Sequence, residues 1–389
     1  MERTIDRSPV GTCSHPKGKS IFRPASLDDD APIRQMLRNN PVGSWVRLTY
    51  EREPSFFAAS AIEGETHKTY MAEAPDDNSV NAVFSWSTRK RYVEGSPRSI
   101  GYLGQLRIQE RYGGKIRFPK AGFEICRQAL QNSRLEPYFL TSIIADNDRA
   151  IRILTSGLKG IPTYKHIGSM GVLAVRCKKP VLSKKNDVLT EEQPSLEDII
   201  DFVARASSDY DFAPVWTTED ILSDERCPGL HQSDFVVIEE AGRIVGCAAI
   251  WDQSANKQYV VSGYRSPICY LRSLMNAAGW AASMVGGWPR LPKVGEALNS
   301  PYLSHFFVED QREDVAVSLV SKALKIAGSK GYDSLVVGLD TNAPIYKALA
   351  NRFRAFKYQS NIYAAHWSFG DQAVDKLGGR LIAPEIAVL

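Results

Sequence analysis

Cysteine and histidine are both scarce in this sequence, each occurring six times in 389 residues. The cysteines form no C-x-x-C pair, so neither a disulfide framework nor a zinc ribbon is expected. The histidines are isolated from one another, which argues against a metal site. The cysteines are Cys13, Cys126, Cys177, Cys227, Cys247 and Cys269, and the histidines are His15, His67, His166, His231, His305 and His366.

Long apolar runs are also missing. The longest uncharged run, Ser273–Pro289, has 17 residues and is interrupted by Gly, Ser and Asn. A membrane span needs roughly 20 mainly apolar residues, so no membrane contact is expected. The first residues, Met1-Glu2-Arg3, lead into polar sequence and not into an apolar signal stretch. With the unpaired cysteines, this predicts a cytoplasmic protein with reduced thiols.

Three common catalytic and nucleotide-binding signatures are absent too: G-x-S-x-G, the P-loop and G-x-G-x-x-G. Their absence argues against an α/β-hydrolase, a P-loop NTPase and a dinucleotide-binding Rossmann domain. The composition, 43% hydrophobic and 24% charged, is that of a globular protein. At this length, two or three domains are expected.

The net charge of +4 hides an asymmetry between the two halves of the chain. Residues 1–180 contain 28 Lys and Arg against 18 Asp and Glu, a net +10, whereas residues 181–389 contain 20 against 26, a net −6. Such a difference bears on partners and docking, not on fold. The basic cluster Thr88–Tyr92 is interpreted as a solvated hairpin tip, so nucleic-acid binding is not expected.

The two halves repeat one plan of elements. Ser26 and Ser195 each precede an acidic residue three positions on and apolar residues at helical spacing, which predicts a capped helix start. The first half continues with a strand Tyr102–Ile108, a glycine-bearing turn, a helix through Ile125 to Leu130, a strand Phe139–Ala145 and a helix opened by Asn147. The second half continues with a strand Leu303–Val308, a turn Glu309–Asp314, a helix Val315–Ala327, a strand Ser334–Leu339 and a helix opened by Asn342.

This order predicts an α+β (mixed α/β) chain with two tandem domains, each a mixed, mostly antiparallel sheet flanked by helices. The second copy has an extra segment, Ser262–Ser300, with an apolar-rich helix around Ile268–Val285. The predicted boundaries are a flexible N-terminal tail 1–20, a first domain 21–180, a linker 181–192, a second domain 193–370 and a C-terminal tail 371–389.

The turn after the strand Tyr102–Ile108 has the composition of a phosphate-binding turn. Where a strand leads through a Gly-rich turn into a helix, several backbone N–H groups and the helix dipole point at one spot. Gly113 and Gly114 let the backbone approach a phosphate because no Cβ intervenes. Arg111 and Lys115 add positive charge.

At these residues the chain resembles the GNAT superfamily of acyl-CoA-dependent N-acyltransferases, in a tandem two-domain form. Leu106–Ile116 is similar to the family's strand and Q/R-x-x-G-x-G/A turn, and Asn147 with Ala150 is similar to its next motif. The resemblance implies acetyl-CoA, or another acyl-CoA, as co-substrate and no metal. It implies CoA contacts from Leu106, Ile108, Arg111, Gly113, Gly114, Lys115, Ile116 and Asn147. The second copy's turn, Glu309–Ala316, has four carboxylates and no glycine, so the first copy is expected to bind acyl-CoA.

The resemblance further implies direct transfer of an acetyl or other acyl group to an amine through a ternary complex. The family's tyrosine, about seven residues past the Asn, falls on Leu154, which leaves Tyr164 as the candidate acid. Glu110 is the candidate base in the first copy, and Glu309 or His305 in the second. Pro119 and Gly122 suggest that the following helix starts late.

Two other functions stay open at this point. One is a non-catalytic tandem GNAT-like protein that senses a ligand or acts as a scaffold, because fold does not decide function. The other is aminoacyl transfer from a charged tRNA. The expected acceptor is a small-molecule amine or a peptide, and a homodimer is left open.

Overall fold

A computed structural model describes residues 22–43, 46–73, 79–109, 117–177, 193–265 and 292–389. The predicted tail 1–20, the linker 181–192 and the apolar helix around Ile268–Val285 lie outside these residues. The rest of the chain forms helices and strands in the predicted order, twice.

Both predicted helix starts are confirmed. Asp29 Oδ2 accepts a hydrogen bond from the Ser26 amide at 2.7 Å, and Ser195 Oγ accepts one from the Asp198 amide at 3.1 Å. The first half contains β1 (Arg23–Pro24), α1 (Asp30–Arg38), β2 (Val46–Glu51), α2 (Phe56–Ala61), β3 (Thr66–Glu73), β4 (Val80–Val93), β5 (Ser96–Ile108), α3 (Arg117–Gln131), β6 (Tyr138–Ile144), α4 (Asp148–Leu154) and β7 (Thr163–Arg176).

The second half repeats this order. It contains α5 (Leu196–Ser207), α6 (Thr218–Ile221), β8 (Phe235–Glu240), β9 (Arg243–Trp251), β10 (Gln258–Tyr264), β11 (Tyr302–Val308), α7 (Glu313–Ser329), β12 (Ser334–Asp340), α8 (Pro344–Arg352), β13 (Ala355–His366) and α9 (Asp371–Asp375). The late helix start expected from Pro119 and Gly122 is wrong, since α3 begins at Arg117. Proline is tolerated in a first helical turn, where its missing N–H has no intrahelical partner to lose.

The halves share one sheet of eleven strands, in the order β1-β3-β4-β5-β6-β13-β7-β12-β11-β9-β8. The strands pair antiparallel except at β5–β6 and β11–β12, which are parallel. Helices pack on this sheet: α3 on the first half and α7 on the second. The predicted fold class, a mixed and mostly antiparallel sheet flanked by helices, is confirmed.

At the centre of the sheet the halves exchange their last strands. β13, the last strand of the second half, pairs with the whole length of β6, from Ser360↔Ile144 to His366↔Tyr138. β7, the last strand of the first half, pairs with β12 in the same way. Because β7 and β13 also pair with each other, neither half has a complete sheet without the other.

The C-terminal segment 371–389, predicted as a tail, packs against the second half. Asp340 Oδ2 accepts a hydrogen bond from the Ile382 amide at 2.9 Å, and Val374 and Val388 are fully buried. The segment is therefore part of the core and does not project from it.

A second small sheet connects the halves. β2 of the first half pairs antiparallel with β10 of the second, with Tyr50 opposite Tyr259. The two rings lie 5.2 Å apart between centroids. This ribbon places side chains of both halves close to the end of β5.

Candidate active site

In the first half, β5 and β6 pair at only two positions, in the middle of β5 and near the start of β6, and then separate. The pairs are Gly101↔Phe139 and Tyr102↔Leu140, although β5 continues to Ile108 and β6 to Ile144. Just beyond the last pair, Tyr102 Oη and Ser142 Oγ lie 2.7 Å apart and connect the two strands. The gap that opens beyond this contact is called the first splay.

The second half has the same feature, here called the second splay. β11 and β12 pair only at Tyr302↔Val336, although both strands continue for several residues. The two splays therefore occupy equivalent places in the repeat, each bounded by the strand that precedes the long helix and the strand that follows it.

Each splay contains a β-bulge with a left-handed residue. Gln105 has φ 54° and His305 has φ 51°, and the pairing register of each strand shifts at that point. A bulge leaves one residue unpaired and re-aims nearby backbone and side chains. The two positions are 200 residues apart, as are Leu103 and Leu303.

The side chains of β5 around the first bulge lie on two opposite faces of the sheet. Leu103, Leu106 and Ile108 pack in the core beneath α3, with Phe123. Arg107 belongs to the opposite face, which it shares with Tyr102. Leu106 and Ile108, both predicted to contact CoA, are therefore placed at the splay with their side chains in the core.

In the second splay the backbone amide at the bulge binds a side-chain oxygen of the chain itself. The His305 amide donates a hydrogen bond to Glu385 Oε2 at 2.8 Å. Burial, and then Arg89, lower the pKa of His305 to about 3, so its ring is neutral near pH 7. The ring lies 4.1 Å from that of Trp216, between centroids.

The C-terminal segment fills the second splay. Ile382, Ala383, Pro384 and Glu385 line a remaining cavity of only about 30 Å³, room for about one water molecule. No acyl-CoA would fit there without displacing this segment.

The acidic turn after β11 is held by arginines. Arg312 donates to Glu240 at 2.6 and 2.8 Å and to Asp314 at 2.7 Å. Arg243 donates to Glu309 at 3.0 Å, so Glu309 is in a surface ion pair. This turn offers a phosphate no uncompensated positive charge.

The predicted phosphate turn itself lies outside the described residues. This applies to Glu110, Arg111, Gly113, Gly114, Lys115 and Ile116. Asn147 lies at the open end of β6, is exposed and caps α4 by accepting from the Ala150 amide at 3.1 Å.

Tyr164, the predicted acid, lies in the hydrophobic core beneath α3. Its ring packs against Phe123 and Tyr363, at centroid distances of 6.4 and 5.9 Å. In the sheet Tyr164 pairs with Ala365 of β13, and Ala365 also pairs with Phe139 of β6. Phe139 lies at the closed end of the first splay. The structure therefore does not bring Tyr164 to the open part of the splay, and its position favours a core role.

Tyr102 is the hydroxyl that the structure does bring to the first splay. Burial raises its pKa to about 12, so the phenol stays protonated at neutral pH. The sequence did not predict Tyr102, Gln105 and Ser142 as site residues, because the positive φ falls on Gln105 and not on the neighbouring Gly104. The 200-residue offset between Tyr102-Leu103 and Tyr302-Leu303 was the signal that could have found them.

The interpretation of Thr88–Tyr92 as a solvated hairpin tip is wrong. Arg89 and Arg91 lie in β4, and their exposed fractions are 2% and 0%. Arg89 stacks on Trp216, with 4.6 Å between its Cζ and the ring centroid, and Arg91 donates to the Phe212 carbonyl at 3.0 Å. The segment around Phe212 and Trp216 covers both guanidinium groups, so they cannot form a nucleic-acid surface.

Cysteine and metal chemistry find no support in the described part of the chain. Cys126, Cys177, Cys227 and Cys247 are free and buried. Burial raises the pKa of the Cys126 thiol well above its usual range, which makes it a poor nucleophile. No group of three or more His, Cys, Asp or Glu among these residues is arranged to hold a metal ion, and none of their helices is long and apolar enough to cross a bilayer.

No protein-family model matches the sequence, and no curated protein matches it. Among solved structures, it is similar to Saccharomyces cerevisiae N-myristoyltransferase with bound myristoyl-CoA, with 13% identity and a TM-score of 0.55 over 94% of this chain and 89% of that chain. The same enzyme with myristoyl-CoA and inhibitors gives 11% identity and a TM-score of 0.54, over 94% and 86% of the two chains. A GCN5-related N-acetyltransferase from Sphaerobacter thermophilus is more distant, at 13% identity and a TM-score of 0.45 over 76% and 79%. The chain therefore has the tandem GNAT fold of the yeast enzyme, which confirms the fold that the sequence resemblance implies.

Proposed function

We propose that the protein transfers an acyl group from CoA to an amine and that the acyl-CoA binds in the first half. The observation that carries the proposal is the hydrogen bond from the His305 amide to Glu385. It demonstrates that a bulge amide of this repeat can hold an oxygen inside a splay. In the second splay that oxygen comes from the chain itself, which leaves the first splay for the acyl-CoA.

We assign the groups that direct transfer requires to the first splay. The amide of Gln105, at the position equivalent to His305, is the proposed donor to the thioester carbonyl oxygen and to the oxyanion that forms there. Donors fixed in advance at a developing oxyanion are usually the largest single contribution to such catalysis. Because this donor is a backbone amide exposed by the bulge, no side chain is needed for it.

The reaction proceeds by attack of a deprotonated amine on the thioester carbonyl. A C–N bond forms, the C–S bond then breaks, and CoA leaves as a thiolate. Tyr102, protonated because burial raises its pKa to about 12, is the proposed donor of a proton to that thiolate. Glu110, directly after Gln109, is the proposed acceptor of the proton lost by the amine.

The predicted turn Arg111–Ile116 is the proposed pyrophosphate site. It joins β5 to α3, whose first residue is Arg117, so it precedes a helix of 15 residues with its N-terminal dipole. Asn147, an exposed residue between β6 and α4 whose Oδ1 caps α4, is the proposed contact of the cofactor's pantetheine arm.

The acetyl group is the proposed acyl group, and the cytoplasm the proposed location. The similar yeast enzyme was crystallised with myristoyl-CoA, so chain length is the first property to measure. Acetyl-CoA, octanoyl-CoA and myristoyl-CoA should be compared at equal concentration, with free CoA detected by a thiol reagent and the acylated amine by mass spectrometry.

The outcome separates catalysis from ligand sensing. Transfer to an amine with stoichiometric release of CoA supports the proposal. Binding of acyl-CoA without release of CoA in any amine mixture would contradict catalysis and leave a sensor. Absence of binding at millimolar acyl-CoA would contradict the proposal altogether.

A further inference from the structure

Arg107 is a half-buried cation at the end of β5 that has no acidic partner among the described residues. Its one hydrogen bond among the described residues is from Nη1 to the carbonyl of its neighbour Leu106, at 3.1 Å. Throughout those residues no carboxylate lies within ion-pair distance of it. Burial lowers its pKa, and the nearby groups that act on it are Tyr50, Arg52, Tyr259 and Tyr102.

The other buried arginines of the first half are either paired with a carboxylate or enclosed by the chain. Arg52 is fully buried and paired with Glu63. Arg89 and Arg91 lack acidic partners, but they are enclosed beneath the segment around Trp216. Arg107 alone among these four combines a missing counter-charge with partial exposure, so a ligand can reach it.

Tyrosines form the surroundings of Arg107. Tyr50 and Tyr259 approach from the β2–β10 ribbon, with 5.2 Å between ring centroids, and Tyr102 belongs to the same face of β5. Burial raises the pKa of all three. Near pH 7 their hydroxyls are therefore neutral, so these three side chains contribute O–H donors and ring faces but no negative charge.

Gln105, two residues before Arg107, supplies an acceptor. Its side-chain Oε1 is buried and has no hydrogen-bond partner within the described residues. A buried acceptor left without a partner is unfavourable, and a bound N–H group would offset this cost. In the second half the equivalent residue, His305, turns its ring away from α7, toward Trp216.

We infer that the acyl acceptor is an amino acid, whose carboxylate binds Arg107 and whose amine binds near Gln105 at the first splay. This inference rests on the proposed function. An arginine desolvated among neutral hydroxyls is suited to a carboxylate, which it can bind with two parallel hydrogen bonds. The position of Gln105 at the bulge directs the amine toward the thioester carbonyl.

The test compares acceptors that differ only in the carboxylate. The full-length protein is given acetyl-CoA, or whichever acyl-CoA it accepts, with glycine and glycinamide, leucine and leucinamide, and glutamate and its α-amide. The expected result is a kcat/KM for at least one amino acid well above that for its amide.

Arg107→Met then tests the residue itself. Removal of a charge-assisted contact is expected to lower the amino-acid to amide ratio of kcat/KM by roughly 10- to 100-fold, mainly through the KM of the amino acid. Arg107→Lys should retain an intermediate ratio. Arg98→Met, an exposed position on the same strand, is the matched control and should leave the ratio unchanged.

The ratio also separates this inference from the proposed function. If acyl-CoA is consumed equally with amino acids and amides, and Arg107→Met leaves the ratio unchanged, the inference is wrong and the acyltransferase assignment stands. If no acyl-CoA is bound or consumed, both fail. Should Arg107→Met unfold, the comparison of wild-type acceptors and the Arg107→Lys variant still decide the question.

Discussion

The His305 amide donates to Glu385 Oε2 at 2.8 Å, and this hydrogen bond holds the chain's own C-terminal segment in the second splay. The same carboxylate group also accepts from the Ala387 amide, at 3.2 Å. The two halves of the repeat therefore differ here: in the second half the bulge amide binds a carboxylate of the chain itself, whereas no side chain among the described residues accepts from the Gln105 amide.

Loss of the Glu385 carboxylate is expected to loosen the second half. Glu385→Ala removes an acceptor from two backbone amides inside the fold, and should lower the free energy of unfolding by about 2–4 kcal/mol. Urea unfolding followed by circular dichroism measures this change. Glu309→Ala, which breaks only the surface ion pair with Arg243, is the control and should cost less than about 1 kcal/mol. Equal losses would show that Glu385 has no special role.

His305 should make stability depend on pH. Because the folded protein holds this ring neutral, with a pKa of about 3, only the unfolded chain takes up its proton as the pH falls below about 6.5. The contribution of His305 to the free energy of unfolding is therefore constant above that pH. Below it this contribution falls, by about 2 kcal/mol at pH 5, with further loss toward pH 3.

Urea unfolding of the wild type and of His305→Asn, at pH 7 and pH 5, tests this dependence. Asparagine tolerates the left-handed backbone at this position and does not titrate. The variant should be less stable at pH 7 but should lose less on going to pH 5. An undiminished loss in the variant would assign the pH dependence to other groups.

The exchanged strands leave no room for a side chain at Gly171. A Cβ added to this residue of β7 would overlap the ring of Tyr346 from the second half, so Gly171→Ala should destabilise the protein by about 1–3 kcal/mol. Gly263→Ala, where nothing lies within 4 Å of the added Cβ, should change the midpoint of urea unfolding little. A neutral Gly171→Ala would contradict the close packing of the two halves.

Tyr102 is expected to be needed for release of CoA. Tyr102→Phe removes the proposed proton donor and should lower kcat by roughly 10²-fold or more if thiolate release limits the rate, with little effect on the KM for acyl-CoA. Steady-state kinetics with acyl-CoA measures both constants. If Tyr164→Phe lowers kcat and Tyr102→Phe does not, the assignment made from the sequence is the correct one.

Local signals in the sequence predicted the elements well, because capping serines and helical spacing act over a few residues. Ser26, Ser195 and the repeated strand order are examples. The strand exchange was not predictable in the same way, since the pairing of β13 with β6 depends on contacts between residues more than 200 positions apart.

The site was harder to predict than the fold. Gln105 and His305 adopt positive φ values although neither is a glycine, so residue type did not reveal which position would be left-handed. Arg89 and Arg91 were taken as exposed because charged residues rarely lie in a core. Their burial depends on the segment around Phe212, which is distant in sequence. Tyr164 was selected because the family's spacing from Asn147 falls on Leu154, and order along the chain does not reveal the end of the splay at which a side chain lies.

Isothermal titration calorimetry with acetyl-CoA tests the central claim most directly, on the wild type, Gly114→Glu and the double variant Glu313→Gly with Asp314→Gly. We predict one binding site per chain in the wild type, loss of binding in Gly114→Glu, and unchanged binding in the double variant. Thermal stability should agree, since a ligand at about 100 times its Kd adds about 2.7 kcal/mol. Binding that survives in Gly114→Glu, or that strengthens in the double variant, would place the acyl-CoA in the second half and contradict the account.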